Sequence, residues 1–346
     1  MKASYHKYIL NFKKPSGTSR GVMIEKETWF IILENNGKKG IGECGILRGL
    51  SIDDRPDYKE KLRWVCKNFH LGKDLLWENL IEFPSIQFGI EMAFLSLQSE
   101  DPFLLFPSDF TKGKKSITIN GLVWMGNPEE MLLQIQEKIA TGFSCIKLKI
   151  GAIDFDKELE LLRYIRLKFS PKQIEIRVDA NGAFDSNLAL YKLNQLSEFK
   201  LHSIEQPIKK NNTDSMSELC KNSPIPIALD EELIGVFTLQ EKENLLLKIM
   251  PQYLILKPSF IGGFRGTLEW IKLAEKHNIG WWITSALESN IGLNAIAQFT
   301  FSQNNSMPQG LGTGGLYTNN FDCPLEVCDG QLWYSNRDWV VNFDTI

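Results

Sequence analysis

From Ser116 onward the chain alternates short β-forming runs with amphipathic helical runs, at a spacing of about 25–30 residues, and this alternation constrains the fold more than any other feature. The β-forming runs are Ile117 to Gly121, Cys145 to Ile150, Ile174 to Asp179, Ser203 to Glu205, Ile225 to Asp230, Tyr253 to Lys257, Trp281 to Ser285 and Gln309 to Thr313. Between the first two, Asn127 and Pro128 carry the signature of a helix start, as N-cap and first helical residue. Gly142 supplies the matching stop. Strands that alternate with helices predict a parallel sheet, and about eight such units in roughly 200 residues predict a closed (β/α)8 barrel over 116–315. A doubly wound open sheet is the alternative, but it usually brings a glycine-rich phosphate loop after its first strand, and the sequence has none there.

The strand ends carry the chemistry. In Ile146-Lys147-Leu148-Lys149-Ile150 the apolar residues fall on one face and both lysines on the other, because side chains alternate along a strand. Two ammonium groups that close depress each other's pKa, which prepares a lysine to act as a general base. The third strand ends at Asp179, the fourth at Glu205, the fifth at Asp230 and the sixth at Lys257, each followed by a turn. Ile174, Ile176 and Val178 fall opposite Asp179; Ile225, Ile227 and Leu229 fall opposite Asp230; Leu254 and Leu256 fall opposite Lys257. In a barrel these ends converge on one mouth. Three carboxylates meeting there need a cation, and an all-oxygen ligand set favours Mg²⁺ over zinc. A carboxylate trio flanked by lysines suits abstraction of a proton α to a carboxylate.

The first 115 residues read differently. Strands are expected over about the first 50, with a hairpin turn at Asn35-Asn36-Gly37 and a return strand through Gly40 to Glu43. Cys44 to Ser51 is a glycine-bearing loop, expected to be mobile and to order over the site when substrate binds. Helices follow to about residue 100, where Ile86, Ile90, Ala93, Phe94 and Leu97 form an apolar stripe. Residues 1–115 therefore form an α+β unit, with a boundary in the polar segment Asp109 to Lys115. A net charge of −3 and the lack of a Lys/Arg-rich run exclude electrostatic binding of nucleic acid or membrane surfaces. No apolar run is long enough to span a bilayer and no signal-type core follows the N-terminus, so a cytoplasmic protein is expected. The six scattered cysteines, with no Cys-x-x-Cys pair, fit reduced thiols in that compartment.

Lys147-x-Lys149, Asp179-Ala180-Asn181-Gly182, Glu205-Gln206-Pro207, Asp230-Glu231 and Lys257-Pro258 together resemble the motifs of the enolase superfamily, in its muconate-lactonising-enzyme-like branch. The resemblance implies an α/β protein: a modified TIM barrel with an N-terminal α+β capping domain, to which the tail 316–346 returns. It implies Mg²⁺ held by Asp179, Glu205 and Asp230, with Lys149 as the base and Lys147 and Lys257 as cations around the developing enediolate. Within the branch the chain looks most like the o-succinylbenzoate synthases, through Gly42 to Ser51, Phe83 to Glu91, Ser285 to Gly292 and Gly310 to Thr313. Ile46-Leu47-Arg48 departs from the Pro-Leu-Pro-like turn of that group. A dicarboxylate substrate follows from the resemblance, with Asn181, Ser285, Glu288, Gly312 and Thr313 around it. A monomer and a homo-oligomer are equally open. N-acylamino-acid racemases and dipeptide epimerases of the same branch, and an inactive barrel used for binding, are the alternative readings. A dipeptide epimerase is expected to carry Asp-x-Asp at the eighth strand, where this chain has Leu311-Gly312-Thr313.

Overall fold

The computed structural model describes residues 2–18 and 21–343. The N-terminal strands β1 (Lys2–Thr18), β2 (Gly21–Asn35) and β3 (Lys38–Cys44) form an antiparallel meander in that order. The β2–β3 turn places Asn36 and Gly37 at φ 49° and 80°. Left-handed conformations at both central residues match the twist of a two-residue hairpin, which is why Asn-Gly marks it. Helices α1 (Tyr58–Asn68), α2 (Gly72–Asn79) and α3 (Pro84–Gln98) follow. α3 lies directly on β3: a Cβ at Gly42 would fall 1.8 Å from the Gly89 carbonyl oxygen, so backbone meets backbone and neither glycine can carry a side chain.

The barrel follows, with β4 (Ile117–Thr118), β5 (Gly121–Val123), α4 (Pro128–Ala140), β6 (Cys145–Lys149), α5 (Phe155–Lys168), β7 (Glu175–Asp179), α6 (Ser186–Ser197) and β8 (Ser203–Glu205). It continues through α7 (Thr213–Asn222), β9 (Ile227–Leu229), α8 (Leu239–Ile249), β10 (Tyr253–Leu256), the single turn α9 (Pro258–Ile261), α10 (Gly263–Lys276), β11 (Gly280–Ile283) and α11 (Asn290–Ser302). Side chains start several of these helices. Asn127 and Glu130 form a reciprocal capping box on α4, Thr238 and Glu241 another on α8, and Asp154 and Asp185 cap α5 and α6. Strands β5 to β11 make one parallel sheet in sequence order.

The eighth stave differs from the sequence expectation. The segment at Gln309 and Gly310 closes the ring only through single parallel bridges, Ile119 with Gln309 and Thr284 with Gly310. Pro308 has no N–H to donate, and Gly310 and Gly312 disfavour a regular strand. Ile117 and Thr118 also depart from it: they pair antiparallel with β13 (Gln331–Tyr334), which itself pairs with β12 (Leu325–Cys328). The barrel strand proper thus begins beyond them, at Ile119, and pairs with β6 from Gly121 onward.

One apolar core runs through barrel and meander. Along β2, Phe30 and Ile32 pack into the barrel's cluster, whereas Trp29, Ile31 and Leu33 pack with α1, α2 and α3. The polar seam is specific. The buried Glu43 carboxylate on β3 accepts hydrogen bonds from Thr28 Oγ1, from Ser289 N and Oγ, and from Gly292 N at the start of α11. A carboxylate at a helix N-terminus meets free N–H groups and the positive end of the dipole. The segment after the barrel runs back along β1: Lys13 N donates to Leu316 O, Thr318 N to Asn11 O, and Tyr8 Oη to Asn319 O. Among the described residues no helix is long and apolar enough to cross a membrane.

Asp53, buried between β3 and α1, ties down the start of α3 by accepting from Ser85 N (2.9 Å) and Ser85 Oγ (2.6 Å). Burial pushes its carboxyl up to about 6, against the opposing pull of the Ser85 hydrogen bonds. The folded state therefore holds this proton more tightly than the unfolded chain does. Its contribution to stability is fully present below the ordinary aspartate value and is lost as pH rises through about 6. Urea denaturation from pH 4 to 7 should show wild type losing roughly 1–3 kcal/mol relative to Asp53→Asn, which cannot titrate. Parallel profiles for the two proteins would refute this.

Candidate active site

Parallel register brings the strand ends into one row. Lys149 on β6 stands beside Asp179 on β7, and Asp179 beside Glu205 on β8. Neighbouring strands lie about 5 Å apart, so side chains of one row that point into the barrel are forced into contact. Asp230 follows β9 and Lys257 follows β10, each just past its strand. Asp179, Glu205, Asp230, Lys149 and its neighbour Lys147 are buried, and Lys257 is slightly more exposed.

The lysines and carboxylates interleave. Lys147 Nζ lies 3.0 Å from Asp179 Oδ2 and 2.5 Å from Glu205 Oε2. Lys257 Nζ lies 2.5 Å from Asp230 Oδ2 and 3.9 Å from Glu205 Oε1. Lys149 Nζ has one carboxylate, Asp179 Oδ2 at 3.0 Å, which it shares with Lys147, and donates to Asn181 Oδ1 at 2.7 Å. It also lies 5.8 Å from the centroid of the Trp124 ring. Asn181 adopts φ 44°, and its Nδ2 donates to Glu231 Oε1. The Asp-Ala-Asn-Gly turn thus bends the chain back so that its amide braces the lysine.

Electrostatics separate the three lysines. Burial lowers the Lys149 ammonium, Asp179 opposes that shift, and Lys147 and then Lys257 add to it; the net shift is downward. The direction is the one expected from the Lys-x-Lys spacing, but burial, not the paired lysine, is its leading cause. Burial also acts against charge on Lys147 and Lys257, yet their carboxylate partners outweigh it and raise both. Burial would push the Asp179 carboxyl up, but Lys147, Lys149 and Lys257 hold it well below the ordinary range. Glu205 is pushed up to about 7 by burial and then by Asp179, and Asp230 is raised by burial with Glu231 and Asp179 adding to it.

The three carboxylates sit on adjacent strand ends, but among the described residues no group of three or more His, Cys, Asp or Glu side chains is drawn together as a ligand set. Ammonium groups supply the compensating charge instead. The residues nevertheless fit a hard divalent ion. The donors are carboxylate oxygens, and neither Glu205 oxygen receives a well-directed hydrogen bond, although Lys147 Nζ stands close to Oε2.

A cavity of about 700 Å³, its mouth included, opens over this row. Lys147, Lys149, Lys257, Asp179 and Asn181 line it on one side, and Ser285, Gly312 and Thr313 on the other. Glu205 and Asp230 lie behind that lining. Glu288 is instead fully buried away from the cavity: it accepts from Ala286 N and the Ser259 hydroxyl and faces the buried Lys26 ammonium. The reason is the turn at Leu287, whose left-handed φ of 63° reverses the chain after Ala286. The Tyr317 hydroxyl holds that turn by donating to Leu287 O. Sequence reasoning missed the apolar wall of Met23, Leu122, Trp124 and Phe260, although Leu47 and Leu50 come from the expected cap loop. Trp124 directly follows β5, a strand-end position that was legible; being uncharged, it drew no notice.

The enolase C-terminal domain-like family model matches residues 130–337. An o-succinylbenzoate synthase of Desulfotalea psychrophila is 46% identical over 366 aligned positions, spanning 97% of this chain and 99% of that protein. An L-amino acid-D/L-Glu epimerase of Francisella philomiragia is 27% identical, spanning 78% of this chain and 77% of that one. The crystal structure of MenC from Desulfotalea psychrophila superposes with a TM-score of 0.85 at 43% identity, covering 96% of this chain and 99% of that one. Muconate lactonizing enzyme from Pseudomonas fluorescens, at 24% identity and a TM-score of 0.82, shares the fold over 99% of this chain and 96% of its own. The motif match, the barrel and its row of interleaved lysines and carboxylates agree with these likenesses, and the chain belongs to the enolase superfamily.

Proposed function

We propose that this protein is an o-succinylbenzoate synthase: a lyase that dehydrates 2-succinyl-6-hydroxy-2,4-cyclohexadiene-1-carboxylate to o-succinylbenzoate, a step of menaquinone biosynthesis. The observation that carries this reading is the near full-length 46% identity to a synthase of that kind, on a chain whose lysines and carboxylates meet at one mouth. Lys149 Nζ, the least compensated ammonium of the three, takes the proton α to the ring carboxylate. The C–O bond then breaks and the hydroxyl leaves as water, with the proton returned by the same nitrogen. Only one face of the ring is needed, as in a syn elimination. Lys147 and Lys257, held protonated by their carboxylates, stabilise the negative charge that develops on the substrate carboxylate. Asp179, Glu205 and Asp230 hold Mg²⁺, which when bound supplies further positive charge at that carboxylate. The apolar wall of Leu122, Trp124 and Phe260 excludes water from the reacting carbon.

The far side of the cavity argues against a dipeptide epimerase. An α-ammonium needs carboxylates there, and Ser285, Gly312 and Thr313 bring none. The test is an assay of the purified protein with Mg²⁺ on the cyclohexadiene, beside N-succinyl amino acids and dipeptides. Turnover of the cyclohexadiene well above the other two is expected. Epimerisation or racemisation as the dominant activity would overturn the assignment.

A further inference from the structure

Leu47 and Leu50 of the cap loop form part of the cavity wall, and Leu47 also packs against the cluster of Leu10, Leu287 and Tyr317. Between the two leucines Gly49 adopts φ 77°, and Arg48 is exposed. Nothing in Ile46-Leu47-Arg48 fixes the backbone as a proline would. Charge does so instead. The Arg48 guanidinium forks between two carboxylates: Nη1 donates to Asp54 Oδ1 at 2.6 Å, and Nη2 donates to Glu27 Oε1.

Asp54 stands at the far end of the same loop, and its other oxygen accepts from Gly49 N at 2.7 Å. Glu27 stands on β2 and is itself held by Lys7 Nζ and Trp29 Nε1, each 2.8 Å away. One arginine thus closes the loop on itself and ties it to the meander. Inside the turn, Leu47 N donates to Ser51 Oγ and Ser51 N to Leu47 O, both at 2.9 Å. These bonds are internal to the chain, so none of them waits for a ligand. Burial would push both carboxyls up, but Lys7, Trp29 and Arg48 hold Glu27 below its ordinary value, and Gly49 N–H and Arg48 do the same for Asp54. Both therefore stay ionised through the neutral range.

We infer that Arg48 is a positioning residue for the reaction: it holds the cap loop in its working position before substrate arrives, so that Leu47 and Leu50 already stand in the cavity wall. The loop is then ordered in advance, in place of the mobility that its glycines suggest. The inference rests on the synthase reading for the identity of the ligand alone. Ordering a loop costs conformational entropy, and a loop ordered by its own ion pairs spares substrate binding that cost. An exposed ion pair contributes little by itself, but here one guanidinium holds two carboxylates, and Glu27 is only slightly exposed. A lysine has a single ammonium and no planar fork, so it cannot hold both in the same geometry.

The experiment is hydrogen exchange of the full chain in wild type, Arg48→Ala and Arg48→Lys, with and without o-succinylbenzoate, beside steady-state kinetics on the cyclohexadiene. Wild-type amides 47–51 should be protected without the ligand and gain little from it. In Arg48→Ala they should exchange about 3- to 10-fold faster, and o-succinylbenzoate should restore their protection. KM should rise by a similar factor, roughly 3- to 10-fold, the scale of two partly exposed ion pairs. The value of kcat should stay within about twofold, because the contacts of Arg48 are with Glu27, Asp54 and the Tyr58 ring and do not reach the three lysines. Arg48→Lys should fall between the two. Asp54→Asn, which removes one arm and leaves the arginine, should shift the same readouts in the same direction, and it serves if the alanine variant misfolds. Equal exchange in wild type and Arg48→Ala would overturn the inference. So would a wild-type loop that exchanges freely until o-succinylbenzoate binds, or a loss confined to kcat. Wild type that does not turn over the cyclohexadiene would overturn the synthase reading instead, and the exchange comparison without ligand would still decide the role of Arg48.

Discussion

Lys149→Ala should abolish both dehydration and exchange of the substrate α-proton with solvent deuterium, with turnover falling by about 10³-fold or more, the scale of a lost general base. Lys257→Arg should keep a measurable part of the rate. Position alone does not separate these residues, since both line the same cavity. Their partners do. Lys257 has Asp230 at 2.5 Å and Glu205 at 3.9 Å, which favour its charged form. Lys149 has one carboxylate, shared with Lys147, and its burial favours the neutral amine. An arginine stays cationic at any working pH, so it can replace an electrostatic partner but not a base; its planar shape limits how much rate survives. Mass-spectrometric deuterium exchange, run beside the rate assay, distinguishes the roles. Exchange retained in Lys149→Ala and lost in Lys257→Arg would reverse them.

Rigorous chelation should remove activity, and Mg²⁺ should restore it. Three buried carboxylates on adjacent strand ends repel one another, and the Glu205 carboxyl is pushed up to about 7, by burial first and then by Asp179. The lysines relieve part of this, but those ammonium groups are also the ones assigned to the reaction. A divalent ion at the carboxylates would free them for it. Calorimetric titration of the chelated protein with Mg²⁺ should show one site. Asp179→Asn should weaken that binding by about tenfold or more while the melting temperature stays within a few degrees, because Asp179 makes polar contacts at a strand end and is no part of the apolar packing. Full activity after chelation, or Mg²⁺ binding undiminished in the variant, would remove the metal assignment.

Much of this architecture was legible locally. The Asn-Gly hairpin, the Asn127-Pro128 helix start and the alternation of strand and helix each depend on residues close together in sequence. Period-two alternation also placed Lys147, Lys149 and Asp179 on the inner face, because a strand has only two faces and the helices claim the apolar one. Which lysine pairs with which carboxylate was not legible. Lys147 bridges Asp179 and Glu205 across strands far apart in sequence, and that choice depends on the register of three strands at once. The tertiary structure likewise decided that Gln309 and Gly310 close the barrel by single bridges and that Ile117 and Thr118 serve the C-terminal hairpin. Glu288 and Asn120 show the same limit from opposite sides. A charged residue near a strand end was turned away from the cavity by a left-handed turn at Leu287, and a neutral one, Asn120, lines it. Backbone periodicity tells which face a side chain takes; whether that face is met by an ion, a hydroxyl or a ligand is set by elements that only the closed barrel brings together.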